Sequence, residues 1–154
     1  MTRDSWARET AVRLLAEHRK TLRNWRSQSW HLEIWLRDAC RCVYCGRDLL
    51  QDRGITYSFY CYDHILPKEL YPALADEIWN KALSCLACNS WKSTFDPAAD
   101  GLSANREYRY ELIERAKKYV KQQRMQPEAL FVEEKAIFVA ALRGYEPEKA
   151  ATVH

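Results

Sequence analysis

Glycine and proline are scarce in this chain of 154 residues, at 4 and 5, which excludes low-complexity, collagen-like and turn-rich repeat architectures. No apolar run approaches the roughly 18 residues that a membrane-spanning helix needs. The opening segment, MTRDSWARET, has no apolar stretch of the kind that directs secretion. The expectation is therefore a cytoplasmic protein with no membrane partner. In a reducing compartment, six cysteines point to metal ligands and spare thiols rather than a disulfide framework. The chain does have the makings of a core, with 47% hydrophobic residues, 6 Trp and 9 Tyr, far too much apolar mass for disorder. Its length suits one domain over 1–154.

Net charge is only +3, but it is unevenly spread: residues 1–53 hold 11 basic and 7 acidic groups, and residues 54–100 hold 3 and 6. Basic ends around a mildly acidic centre suit either ordinary solubility or a polyanion held by the ends and a cation held by the centre.

The first 38 residues read as helix. Asp4 and Ser5 are candidate N-caps, and Ala11, Leu15, His18, Leu22 and Trp25 follow at steps of four and three along one face. His18, on that apolar stripe, reads as a packed core histidine. Arg19, Arg23 and Arg26 share another face, which is either solvated surface or a stripe along a phosphate backbone. ITYSFYCYDHI, residues 55–65, is β-branched and aromatic and reads as a strand. The stretch from Lys68 to Cys85 reads as loop with some helical character, and Asn89 to Thr94 as a short helix. Arg106 to Arg124 forms an amphipathic helix with Leu112, Ala116, Tyr119 and Val120 inward. Pro127 suits the first turn of a last helix that ends near Arg143, with Gly144 as its stop. The Trp residues, including Trp6, Trp25, Trp30, Trp35 and Trp79, read as core. The expected class is α+β, mostly α, with flanks over 1–38 and 98–154 around a compact core over 39–97.

Chemistry concentrates in that core. Cys42-Val-Tyr-Cys45 and Cys85-Leu-Ala-Cys88 are two CxxC pairs. Two thiolates at i and i+3 in a knuckle turn reach one ion, and two knuckles complete a tetrahedral zinc site. Cys40 and Cys61 are left over as free thiols. Between and just after the knuckles come Asp63-His64, Pro67, Asn80, Asn89 and Lys92.

The assembly CVYCG … YDHILPK … N-x4-CLACNSWK, over about residues 35–95, resembles the HNH endonuclease family in its four-cysteine zinc form. That resemblance implies a ββα-metal core in which a β-hairpin and a helix hold one divalent cation while zinc staples the hairpin's base. It implies catalytic roles for His64, Asp63, Asn80 and Asn89. His64 would act as general base, a role that histidine, with an unperturbed side-chain pKa of about 6.5, is suited to. Asp63 and Asn89 would offer the hard oxygen donors that Mg²⁺ prefers, although Asn also favours helix caps. Asn80 would tie down the loop around His64. Because Asp63 and His64 are adjacent, the strand is expected to bend or end there. Lys92 and Lys68 are candidate phosphate contacts or surface lysines.

The implied function is hydrolysis of DNA phosphodiester bonds, with RNA as an alternative polymer. A cut through both strands would call for a dimer or two events, and the candidate partners beyond nucleic acid are a second copy (a homodimer) or a larger phage or defence complex. The rival readings are a non-catalytic zinc module that binds nucleic acid or protein, and a nuclease subunit that fires only within a larger assembly.

Overall fold

The computed structural model describes residues 1–22 and 29–143. Helix α1 (Arg3–Glu17) packs on α2 (Ser29–Arg37). A short helix α3 (Arg53–Ser58) leads into strand β1 (Tyr60–His64), and two 3-10 turns (Pro72–Leu74 and Ile78–Asn80) lead into β2 (Lys81–Cys85). Helix α4 (Leu86–Lys92) follows directly, and the long α5 (Arg109–Arg143) ends the described chain. The class is α+β, mostly α, with one two-stranded antiparallel ribbon. Its register runs from Tyr60↔Cys85 at one end to His64↔Lys81 at the other. Among the described residues no helix is long and apolar enough to cross a membrane.

Several boundaries differ from those read in the sequence. The N-cap of α1 is Thr2, whose hydroxyl accepts from the Ser5 amide at 3.2 Å; neither Asp4 nor Ser5 caps it. That helix stops at Glu17, so His18 sits past its end and is exposed rather than packed in a core. Trp25, Arg23, Arg26 and Gly144 lie outside the described residues.

Residues 55–58 are helical, not extended. Asp52 caps α3 by accepting from the Ile55 amide at 2.9 Å, and the Thr56 hydroxyl reaches the carbonyls of Leu49 and Asp52. Local hydrogen bonding outweighs β-branched composition there. The second strand lies in a stretch that read as loop. Helix α4 starts at Leu86, three residues before Asn89. Pro127 lies inside α5 instead of opening a new helix.

The core forms where α5 covers the ribbon. On one side Ile34, Trp35, Leu49 and Leu83 pack with Ala116 and Val120; on the other Ile65, Leu66 and Ala82 pack with Leu112 and Ile113. Of the tryptophans expected in the core, Trp35 is fully buried, Trp30 and Trp79 are half-buried, and Trp6 is exposed.

A buried ionic clamp fixes the ribbon between α2 and α5. The Asp38 carboxylate accepts from Arg37 Nε at 2.9 Å, from Arg109 at 3.1 Å and from the Leu83 amide at 2.9 Å. Arg37 also donates to the Ile78 carbonyl, and Arg109 to the Trp79 carbonyl. Burial pushes the Asp38 carboxyl up, but its hydrogen bonds from Arg37 and the charge of Arg109 outweigh this and leave it below the usual value.

Candidate metal centre and the adjoining ribbon

The first knuckle is a tight turn after α2. Gly46 closes it at φ +74, a left-handed conformation that favours glycine, and its amide donates to the Cys42 carbonyl at 2.8 Å. The Val43 amide donates to the Leu83 carbonyl at 2.9 Å, which pins this turn against β2. The second knuckle straddles two elements, because Cys85 ends β2 and is also the N-cap residue of α4. Cys88 follows in the first turn of that helix.

These turns bring the sulfurs of Cys42, Cys45, Cys85 and Cys88 within 4.8 Å of one another, three of the residues buried and Cys45 exposed. The Cys45 and Cys85 sulfurs are 3.9 Å apart. Tetrahedral zinc with Zn–S bonds of about 2.3 Å requires sulfurs about 3.8 Å apart, so the cluster has the spacing and the donor type for a metal such as zinc. Hydrogen bonds from the other three thiols draw the Cys42 thiol strongly down, whereas Cys42 pushes those of Cys85 and Cys88 up. The bond with Cys42 pushes the Cys45 thiol up, but those with Cys85 and Cys88 outweigh it and bring it down to about 6, so thiolate is favoured at Cys42 and Cys45, and four thiolates need a counter-charge. Cys40 and Cys61 stand outside it; burial pushes the Cys61 thiol up to about 11. Among the described residues this is the one convergent group of three or more His, Cys, Asp or Glu side chains.

Asp63 and His64 lie at the end of the ribbon away from the cysteines. The ladder stays regular through both, paired with Ala82 and Lys81, and β1 ends at His64. Their side chains have different partners. Asp63 is buried, accepts a short hydrogen bond from the Tyr44 hydroxyl, and pairs with Lys92 Nζ at 3.2 Å. Burial pushes the Asp63 carboxyl up even though Lys92 and Tyr44 pull it down, and burial together with Asp63 raises the Tyr44 phenol well above its usual value. His64 Nε2 is 2.9 Å from the Ala75 carbonyl. Since a carbonyl only accepts, Nε2 donates there, and Nδ1 is the ring nitrogen that this bond leaves uncommitted.

Asn80 is completely buried. Its Oδ1 accepts from the Leu66 amide at 2.8 Å, and its Nδ2 donates to the carbonyls of Leu66 and Leu74, both at 3.1 Å. One side chain thereby spans both ends of the 66–74 loop. Asn89 is half-buried in the interior of α4, three residues before Lys92, and is not that helix's cap.

The readings of Lys92 as a surface lysine or a phosphate contact are both corrected. Its side chain is fully buried, and its ammonium is shared between Asp63 and the His64 carbonyl at 2.7 Å. Lys68 and Arg19 are exposed. Tyr44 was missed as a polar partner, although it lies inside the first CxxC. The Arg37–Asp38–Arg109 clamp left no local signal. No protein-family model matches the sequence, and a search of curated proteins finds no match.

Proposed function

We propose that the chain is a metal-dependent endonuclease of HNH type. In this reading the four cysteines hold a structural zinc ion, His64 is the general base, and Asp63 and Asn89 are oxygen donors to one divalent cation such as Mg²⁺. The supporting observation is one juxtaposition: Asp63 and His64 end a two-stranded ribbon whose far end enters a tetracysteine cluster and continues into the helix bearing Asn89 and Lys92.

The chain's own groups suit hydrolysis. A phosphodiester repels nucleophiles, so water must lose a proton as it attacks. With Nε2–H donated to the Ala75 carbonyl, Nδ1 of His64 is the nitrogen left to accept that proton. Asn80 limits movement of the loop beside it. A bound divalent cation would supply positive charge for the phosphate and the leaving oxygen. Exposed Lys68 and Arg19 would add sequence-independent, salt-sensitive affinity for DNA.

One observation favours the rival, a zinc module without catalysis. Lys92 already neutralises Asp63, so a cation there must displace or share that ammonium. The deciding experiment incubates purified protein with supercoiled plasmid, and separately with RNA, in Mg²⁺, Mn²⁺ or chelator. Cleavage that needs a divalent cation and falls on the order of 10²–10⁴-fold in His64→Ala, with melting and metal content unchanged, supports the nuclease. Equal cleavage by His64→Ala removes the catalytic assignment, and no cleavage of either polymer favours the zinc module.

A further inference from the structure

Lys92, which the sequence offered as a phosphate contact, is wholly withdrawn from water, and the register of the ribbon brings a different lysine to His64. Lys81 is paired directly with His64 at the tip. Residues paired in this way project from the same face of a ribbon, with Cβ atoms about 5 Å apart. We propose that Lys81 binds a backbone phosphate of a nucleic-acid strand beside His64, a contact that rests on the nuclease reading for the polymer it names.

Two contacts place the ammonium. His64 Nε2 reaches the Ala75 carbonyl at 2.9 Å, and Lys81 Nζ lies 3.9 Å from the carboxylate of the next residue, Asp76. Both side chains therefore converge on residues 75–76. Lys81 Nζ also stands 5.2 Å from the centre of the Trp30 ring, a cation–π contact that holds the ammonium without neutralising it. The Lys81 side chain is 15% exposed and that of Asp76 is fully exposed. The lysine stem thus lies along protein, and its charged end meets solvent where Asp76 stands.

The setting of the two lysines decides which one can take a phosphate. Lys92 is enclosed, with its ammonium 2.7 Å from the His64 carbonyl and 3.2 Å from Asp63, so withdrawing it would strand a buried carboxylate. The Lys81–Asp76 pair is longer than a hydrogen bond, and ion pairs with an exposed partner contribute little. Lys81 can exchange that carboxylate for an arriving phosphate at small cost. An ammonium is a point charge with three donors, so this contact gives affinity and placement without reading bases.

Fluorescence anisotropy of a short labelled DNA duplex tests it, at several salt concentrations and without added divalent cation; the same titration with RNA shows which polymer is held. Lys81→Gln should weaken binding about tenfold and lower the salt slope by about one, with metal content and melting unchanged. Lys81→Arg, which keeps the charge, should stay close to the parent. Asp76→Asn, at a side chain with no burial to lose, should tighten binding about threefold, and that gain should vanish when Lys81 is already Gln. Parent-like binding and salt slope in Lys81→Gln, equal losses in Lys81→Gln and Lys81→Arg, or no gain in Asp76→Asn would overturn the proposal. So would a gain that persists without Lys81, or a parent that binds neither polymer. Plasmid cleavage is scored separately: Lys81-dependent binding by a chain that never cuts overturns the nuclease reading and leaves the phosphate contact standing.

Discussion

The ammonium of Lys92 stands 3.2 Å from the carboxylate of Asp63, with the lysine side chain wholly withdrawn from water and the aspartate nearly so. A pair in that setting gains little over two well-packed neutral side chains, but each member is costly alone. Lys92→Met, which strands the Asp63 carboxylate, should lower unfolding stability by about 3–5 kcal/mol. Adding Asp63→Asn should recover most of that loss, and denaturant titration of the two variants measures the difference. A single variant as stable as the parent would contradict the burial of the charge.

The tetracysteine cluster makes a separate prediction. A structural zinc contributes on the order of 10 kcal/mol of apparent binding energy, so Cys88→Ala should cost folding itself, and chelator should lower the melting temperature of the parent. Cys40→Ser and Cys61→Ser, outside the cluster, should keep the full metal content. Elemental analysis beside thermal melts reads all of these, and metal-free parent protein that melts normally would refute the role.

Asn80→Ala should destabilise by about 1–3 kcal/mol for each buried backbone group it leaves without a partner. The Leu66 amide is the clearest such group. Hydrogen exchange at Leu66 should accelerate in the variant ahead of exchange in α5, and uniform exchange would argue against a local clamp.

Acid should act through Asp38. Its folded-state pKa lies below the ordinary 3.8, so the unfolded chain binds the proton more readily. The stability it contributes is present above that value and lost as pH falls through the folded one. Asp38→Asn should therefore flatten the loss of stability below about pH 4. It should also be less stable than the parent at neutral pH, because Arg37 and Arg109 lose their buried partner. Denaturation midpoints measured across pH would show an unchanged acid slope if the clamp were unimportant.

How much was legible in the sequence depended on how far apart the interacting residues lie. The knuckles were readable because two thiols three residues apart form a local turn, and a pair of such turns supplies four soft ligands for one ion; the mostly helical class followed from equally local periodicity. The Asp63–Lys92 pair joins residues 29 apart and the Asp38–Arg109 pair residues 71 apart; no short pattern announces either. Lys92 looked like a surface residue because lysines usually are. Pro127 looked like a helix start because proline favours the first turn, a preference that the continuous α5 overrides.

The ribbon can also be viewed as a lever. Its pivot is Tyr60 opposite Cys85, part of the four-cysteine cluster, and its tip is His64, four residues away. At about 3.3 Å per residue the arm is roughly 13 Å long. A tilt of about ten degrees at the pivot would move the tip by about 2 Å, enough to ruin any chemistry that depends on placing atoms to within an ångström. The clamps at Asp38 and Asn80 therefore act as guy-lines. They restrain the free end of a beam whose foundation is four sulfur atoms, and the whole ribbon needs to be stiff only if its tip must be aimed.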